Sequence, residues 1–175
     1  MRMIVPDTKN WTWVLDRACD DCGYSGATTS FASVPALTVD SANRIAATLT
    51  RPDVRVRPDD ATWSTLEYAA HVRDVCRIFT RRLALTLASG DEVARFENWD
   101  QDATAIEDRY NEQDPETVRA ELVEAAETVS KAFANVTPEQ LSLEAERSDG
   151  SRFTVDSLGR YFVHDLVHHV NDVHG

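Results

Sequence analysis

Hydrophobic residues recur at helical spacing in four stretches of the chain, and polar segments containing proline and glycine separate them. The stretches cover residues 38–50, 64–89, 114–133 and 154–173. Apolar side chains at i, i+3, i+4 and i+7 form one face of a helix. Convincing strand patterns are few, and the chain has no internal repeat. The pattern therefore predicts an all-α protein in which four helices form a bundle.

Capping signals at the ends of these stretches support the assignment. Ser64 is followed three residues later by Glu67, which is the spacing of a capping box. Asp114-Pro115-Glu116 combines a cap, a proline in the first turn and an acid at the positive helix end. Arg51-Pro52 is expected to end the first helix, and Ser89-Gly90 the second.

The remaining segments set the predicted domain boundaries. Residues 1–37 have no regular pattern, so we interpret them as an extension packed on a bundle of residues 38–175. Residues 91–113 are polar and are predicted to be irregular, with Trp99 as an anchor. Thr137–Gln140 opens a short helical turn. Glu146–Ser151 is predicted to be a turn between short extended pieces.

Composition restricts the class of protein. The net charge of −12 argues against nucleic acid and against anionic membranes as partners. No apolar run approaches the roughly 20 residues of a membrane helix, and residues 1–6 lack the apolar stretch of a signal peptide. Three cysteines do not indicate a secreted disulfide framework. We therefore expect a cytoplasmic protein.

Three histidines carry the clearest chemical signal. His164 and His168 are four residues apart, which places two imidazoles on one face of the last helix. His71 lies in the apolar stripe of the second helix. Together they would form a metal site with an open coordination position, as in catalytic sites. The spacing alone also allows two simpler interpretations. His164 and His168 could lie on a solvent-exposed face of the helix, and His71 could be a hydrogen-bonded histidine of the core.

Polar neighbours on the last helix are candidates for orienting a ligand. Tyr161, Asp165 and Asp172 fall on the same arc as His164 and His168, and second-layer groups of this kind orient ligand rings. His169 points about 100° away from His168. We interpret His169 and His174 as surface or packing residues.

Cys19 and Cys22 form a Cys-x-x-Cys-Gly sequence that is half of a zinc knuckle. The other half is absent, because the third cysteine, Cys76, stands alone on the second helix. Two unligated thiols are our preferred interpretation. A reducible disulfide, or an accessory metal site completed by histidines or by a second subunit, stays open.

The order of these motifs resembles the DinB-like metal-binding family. The resemblance is carried by Trp63-Ser64-Thr65-Leu66-Glu67-Tyr68-Ala69-Ala70-His71-Val72-Arg73-Asp74 and by His164-x-x-x-His168 about 90 residues later. The stretch Trp11–Gly23 is similar to a bacterial subgroup. The superfamily includes mycothiol-dependent maleylpyruvate isomerases and bacillithiol transferases.

The resemblance implies an up-down-down-up four-helix bundle and a divalent metal ion, zinc or nickel. It implies His71, His164 and His168 as the ligands. Some thiol-dependent relatives have glutamate in place of the first histidine of the last pair.

Two classes of function follow from this. The first is a metal-dependent transferase or isomerase that uses a low-molecular-weight thiol and a small-molecule substrate, or a metal-dependent hydrolase. The alternative is a non-enzymatic bundle whose ion is structural or sensory and which acts through a partner or a homodimer. A vestigial site is a third hypothesis. An enzyme needs a cleft beside the ion, whereas a structural ion would be closed by a fourth protein ligand.

Overall fold

The computed structural model describes residues 10–175, so the first nine residues of the predicted extension lie outside it. The described chain has five α-helices and three short strands. The helices are α1 (Val34–Thr48), α2 (Thr65–Ala88), α3 (Gln101–Glu107), α4 (Pro115–Ala134) and α5 (Val155–Asp172). The strands are β1 (Ala94–Phe96), β2 (Glu144–Arg147) and β3 (Arg152–Thr154). Short 3₁₀-helices cover Trp11–Leu15, Phe31–Ser33, Tyr110–Glu112 and Pro138–Ser142.

The four long helices pack around one core, which confirms the predicted four-helix bundle. Helices α4 and α5 each pack against both α1 and α2, so α1 and α2 occupy opposite corners. The apolar faces of the helices meet in the centre, where Leu66, Leu122 and Phe162 are fully buried. Burial of these faces, rather than helix propensity, supplies most of the stability of such helices.

The predicted capping signals are present. The Ser64 side chain accepts a hydrogen bond from the Glu67 N–H, and the Glu67 carboxylate accepts one from the Ser64 N–H at 2.9 Å. Asp114 caps α4, and Pro115 occupies its first turn. The start of α2 is therefore fixed nearly two turns before His71.

Two predicted boundaries differ from the structure. Helix α1 begins at Val34 instead of residue 38, because Pro35 is accommodated in its first turn, where no N–H is required. Residues 91–113 are not irregular throughout, since they contain β1, α3 and a 3₁₀ turn. The side chain of Asp100 caps α3 by accepting from the Ala103 N–H.

A small sheet covers one end of the bundle. β1 pairs with β2 in parallel, and β2 pairs with β3 in antiparallel fashion. The connection between β2 and β3 contains Gly150 at φ 87°, a conformation that favours glycine. The predicted turn between short extended pieces is confirmed. The sheet carries Arg147 to a position beside α5, where it donates to the Tyr161 hydroxyl.

Residues 10–33, called the N-terminal segment below, pack on α5. Two parts of the segment contact each other at Gly26, whose N–H donates to the Val14 carbonyl at 2.8 Å. Arg160 of α5 donates to the Gly26 carbonyl at 2.7 Å. Across residues 10–175, no helix has both the length and the apolar character needed to cross a membrane.

Candidate metal centres

Helix α5 carries two overlapping pairs of potential metal ligands. His164 and His168 form one i, i+4 pair, and Asp165 and His169 form the other, turned by about 100°. The structure brings His164 and His168 together with Cys19 and Cys22 of the N-terminal segment. It brings Asp165 and His169 together with His71 of α2. The three predicted histidine ligands are thus divided between two groups.

The first group, called the α2–α5 cluster below, consists of His71, Asp165 and His169. The Asp165 carboxylate lies 3.1 Å from the Nε2 atom of His71 and 3.1 Å from the Nε2 atom of His169. His71 is fully buried, and its Nδ1 atom has no hydrogen-bond partner. It is therefore not a core histidine satisfied at both nitrogens.

Neighbouring side chains fix the two imidazoles of this cluster. The ring of Trp99 stacks on His71 with 5.3 Å between centroids and 7° between planes. The Trp99 indole N–H donates to Thr104 of α3, so the short helix α3 holds the stacking ring. Asp172 lies 2.8 Å from the Nδ1 atom of His169. A carboxylate on the second nitrogen is the usual way to orient a ligand histidine.

The electrostatics of this cluster favour a positive charge between its members. Burial alone would raise the pKa of the Asp165 carboxyl, but His71 and His169 hold it well below its ordinary value. Burial alone would lower the pKa of His169, but the carboxylates of Asp165 and Asp172 raise it to about 9. The His169 ring thus lies where the carboxylates of Asp165 and Asp172 stabilise a positive charge.

The second group, called the Cys–His cluster below, consists of Cys19, Cys22, His164 and His168. The Cys19 sulfur lies 3.6 Å from the Nδ1 atom of His168. The cysteines are not joined in a disulfide. The indole of Trp11 contacts both histidine rings of this cluster, at 5.5 Å and 5.2 Å between centroids.

Burial dominates the titration of the Cys–His cluster. It lowers the pKa of His164 to about 4, although nearby carboxylates partly oppose the shift. It also lowers the pKa of His168, and the neighbouring His169 adds to that shift. The pKa of the Cys22 thiol is raised to about 11, chiefly by burial. Burial thus disfavours a protonated imidazole in this cluster.

The donor sets of both groups fit a divalent metal ion. Two imidazoles and one carboxylate, as in the α2–α5 cluster, are the three protein ligands of many catalytic zinc sites. Ligand atoms about 2.0–2.2 Å from a tetrahedral ion lie roughly 3.3 Å apart. The two 3.1 Å separations at Asp165 are close to that spacing. The α2–α5 cluster offers three protein ligands, and the Cys–His cluster offers four.

A cleft of about 430 Å³ opens beside these groups. Asp165 and His169 contribute to its wall, and about a third of the Asp165 side chain is exposed to it. Val75 and Phe79 of α2 form an apolar part of the lining. The volume is within the range of small-molecule sites.

Two buried arginines line the far side of the cleft. Arg147 forms a bidentate pair with Asp149, at 3.0 Å and 2.8 Å. Arg82 donates to the Glu97 carbonyl and pairs with no carboxylate among the residues described. Burial lowers the pKa of Arg82 to about 10, with help from the charge of Arg147, so the group stays protonated near neutral pH.

Comparison with known proteins identifies the family. The family model described as the DinB superfamily matches residues 37–173. The chain belongs to the DinB superfamily. Comparison with curated proteins found no match. Among solved structures, the chain is similar to YfiT from Bacillus subtilis, with a TM-score of 0.62 and 18% identity. The match covers 78% of this chain and 82% of YfiT, which is described as a probable metal-dependent hydrolase with an unusual four-helix bundle topology.

Within this DinB fold, the predicted orienting residues have different surroundings. Asp165 belongs to the α2–α5 cluster itself. Asp172 holds His169 and lies 3.7 Å from the Nε2 atom of His168. Tyr161 accepts from Arg147 at the arginine end of the cleft. Cys76 is buried on α2, outside both groups.

Sequence reasoning did not anticipate that His169 lies beside His71 and Asp165. We expected a surface or packing residue, but only 16% of its side chain is exposed and it lies in the α2–α5 cluster. The missed signal is the spacing of Asp165 and His169, which is i, i+4 like that of His164 and His168. His174 is exposed, in agreement with the expectation.

Proposed function

We propose that this DinB protein is a metal-dependent enzyme whose divalent ion is held by His71, Asp165 and His169. The observation that carries the proposal is the cleft together with the number of ligands: Asp165 and His169 of this three-ligand group contribute to its wall. His164 and His168 also line the cleft, but they belong to a four-ligand group that would leave no position open to a substrate. Three protein ligands beside an open space are the arrangement of a catalytic site. In this proposed set, Asp165 and His169 take the places that the family resemblance gives to His164 and His168.

A divalent ion in this cluster would supply a positive charge that polarises a carbonyl and lowers the pKa of a thiol or water. The protein's own groups do the positioning. Asp172 holds the His169 ring by its Nδ1 atom, and Trp99 covers the face of His71. Val75 and Phe79 exclude water from one wall, and Arg82 would bind an anionic group of the substrate.

The reaction that we propose is transfer to or isomerisation of a small anionic molecule with a low-molecular-weight thiol as co-substrate. A carboxylate at the first position of the i, i+4 pair is the pattern associated above with some thiol-dependent relatives, and Asp165 provides it here. Zinc and nickel both suit two imidazoles and a carboxylate. Hydrolysis is the competing reaction at the same ion, and it is the activity named for YfiT.

The metal-ligand assignment is tested by substituting its histidines. His71→Ala with His169→Ala should lose the ion of this site and all activity, measured by metal analysis and turnover. His174→Ala is the matched control and should keep both, since His174 is exposed and outside both clusters. If the His169→Ala single variant binds its ion as tightly as wild type, the α2–α5 assignment is wrong.

The reaction class is tested with electrophilic carboxylates and esters incubated with and without glutathione or cysteine. Thiol-dependent conversion that requires Asp165 supports the transferase or isomerase. Conversion at the same rate without any thiol would replace it with a hydrolase.

A further inference from the structure

We infer that Cys19, Cys22, His164 and His168 form a second, structural zinc site that fastens the N-terminal segment to α5. The site shares no ligand with the α2–α5 cluster, so the two proposals stand or fall separately. Two cysteines and two histidines are a ligand set typical of structural zinc.

The spacing of the four side chains fits one tetrahedral ion. Their ligand atoms all lie within 4.8 Å of one another. Zinc bonds of about 2.3 Å to sulfur and 2.0–2.1 Å to nitrogen place the two atoms roughly 3.6 Å apart on a tetrahedron. The distance between the Cys19 sulfur and the His168 Nδ1 atom is 3.6 Å.

Burial supplies an independent observation. His164 is 4% exposed, and its Nε2 atom has no hydrogen-bond partner. Such an orphaned nitrogen costs free energy unless something binds it. Cys19 is only 2% exposed. A zinc ion would displace the protons of the two thiols to solvent. The two resulting thiolates would neutralise its charge of +2, and a neutral site can be buried at low cost.

The chain around the cysteines has the form of a metal-binding knuckle. The Gly23 N–H donates to the Cys19 carbonyl at 2.8 Å, and the Cys19 N–H donates to the Tyr24 carbonyl at 2.7 Å. Gly23 has φ 75°, which glycine adopts without strain. The tight turn thus holds both sulfurs toward α5.

The expected role is a cross-link. Four protein ligands leave no coordination position for a substrate, which separates this site from a catalytic one. Cys19 and His168 are 149 positions apart in the chain, so the ion would close a long loop. The N-terminal segment contains only two short 3₁₀-helices, and it therefore gains most from such a fastening.

The test uses the full chain loaded with Zn²⁺ or Co²⁺. The variant Cys19→Ser with Cys22→Ser should bind about one zinc ion fewer per chain than wild type. Its cobalt form should lack the near-ultraviolet thiolate-to-cobalt absorption. Cys76→Ala is the matched control and should keep both, because Cys76 lies outside the cluster. His71→Ala with His169→Ala should also keep the thiolate absorption, which distinguishes failure of this inference from failure of the proposed function.

A measurement on the wild-type protein covers the case in which the cysteine variant does not fold. Alkylation followed by mass spectrometry should find Cys19 and Cys22 protected until a chelator is added. Hydrogen exchange in residues 10–33 should then rise while exchange in α4 stays constant. Equal alkylation with and without chelator, a Cys19–Cys22 disulfide in the purified protein, or unchanged zinc content in the double variant would overturn the inference.

Discussion

His168 and His169 are neighbours on α5, yet their surroundings shift their imidazole pKa values in opposite directions. For both rings, burial acts to lower the pKa. His169 lies against the carboxylates of Asp165 and Asp172, and their attraction raises its pKa to about 9. His168 lies against the sulfur of Cys19 and 3.7 Å from Asp172, and burial holds its pKa below the ordinary value. One residue of register thus decides which imidazole lies between two carboxylates.

The raised pKa of His169 predicts a pH dependence of the metal-free protein. A group whose pKa is higher in the folded chain stabilises the fold fully below its unfolded value, near 6.5. This stabilisation disappears as the pH rises through about 9. Chelated protein should therefore lose on the order of 2 kcal/mol of unfolding free energy over that interval, measured by urea denaturation.

The control for this prediction is Asp172→Asn, which removes one of the two carboxylates at His169 and should flatten the curve. His174→Ala should behave like wild type, since this residue is exposed and outside both clusters. A chelated wild-type protein whose stability is constant from pH 6.5 to 9 would contradict the electrostatic account of His169.

At the residue scale, the sequence identified residues that the structure places in candidate metal-binding groups, but it could not divide them between two ions. His71, His164 and His168 all lie in groups that could bind metal, and Cys19 and Cys22 join one of those groups. Helical spacing cannot distinguish the two overlapping pairs on α5, because both are i, i+4. The rotation of α5 about its axis decides between them, and tertiary packing determines that rotation.

The start of α2 shows how one element is fixed by a buried ion pair. Glu67 closes the capping box and also receives hydrogen bonds from Arg57, including one of 3.0 Å from its Nε atom. Only 2% of the Glu67 side chain is exposed. Burial would raise the pKa of its carboxyl, but the hydrogen bonds from Arg57 and Ser64 bring it below the ordinary value.

This arrangement predicts an acid-sensitive helix start. Because the pKa of Glu67 is lower in the folded chain, its stabilisation is present above the unfolded value near 4.3 and disappears as the pH falls through the folded value. Glu67→Gln should cost on the order of 2–3 kcal/mol at pH 7, since it removes the buried carboxylate to which Arg57 and Ser64 donate hydrogen bonds. Its stability should also depend less on pH in acid, as measured in chelated protein.

Glu116→Gln is the matched control at the start of α4. Glu116 pairs with Arg119 on the surface, where a single ion pair contributes little. Its substitution should leave stability and acid sensitivity close to those of wild type. If Glu67→Gln and Glu116→Gln lower the unfolding free energy equally, burial of the ion pair between Glu67 and Arg57 does not explain the cost at Glu67.

At the element scale, helices with both an apolar stripe and a capping signal could be predicted, and shorter elements could not. Ser64 and Asp114 mark the starts of α2 and α4, and both were identified. β1 has three residues, too few to show an alternating pattern, and it is stabilised by pairing with β2 far along the chain. Such nonlocal pairing leaves no local signal in the sequence.

On the scale of the whole molecule, the cleft differs in charge from the rest of the protein. The chain has a net charge of −12, which would repel small anions from most of the surface. Arg82 and Arg147 lie in the cleft wall, and only Arg147 is paired with a carboxylate there. The guanidinium of Arg82, which pairs with no carboxylate within residues 10–175, would therefore attract an anionic group to the cleft selectively.

This charge distribution predicts that the cleft binds small carboxylates. Succinate should raise the melting temperature of the metal-loaded protein, whereas the uncharged succinamide should not. Arg82→Met should weaken succinate binding at least about tenfold, the equivalent of 1.4 kcal/mol for one lost charged contact. Methionine preserves most of the apolar packing of the Arg82 stem on Phe79 and Phe96, which lie 5.0 Å and 4.6 Å from its guanidinium carbon.

The matched control for the carboxylate prediction is Arg81→Met, which removes an exposed charge from the same helix outside the cleft. Both variants change the net charge equally, so only a local contact can separate their effects. The affinity of wild-type protein should fall with added salt, and that of Arg82→Met should fall less. If Arg81→Met and Arg82→Met bind succinate equally well, the attraction comes from net charge alone and Arg82 is not the anion-binding group of the cleft.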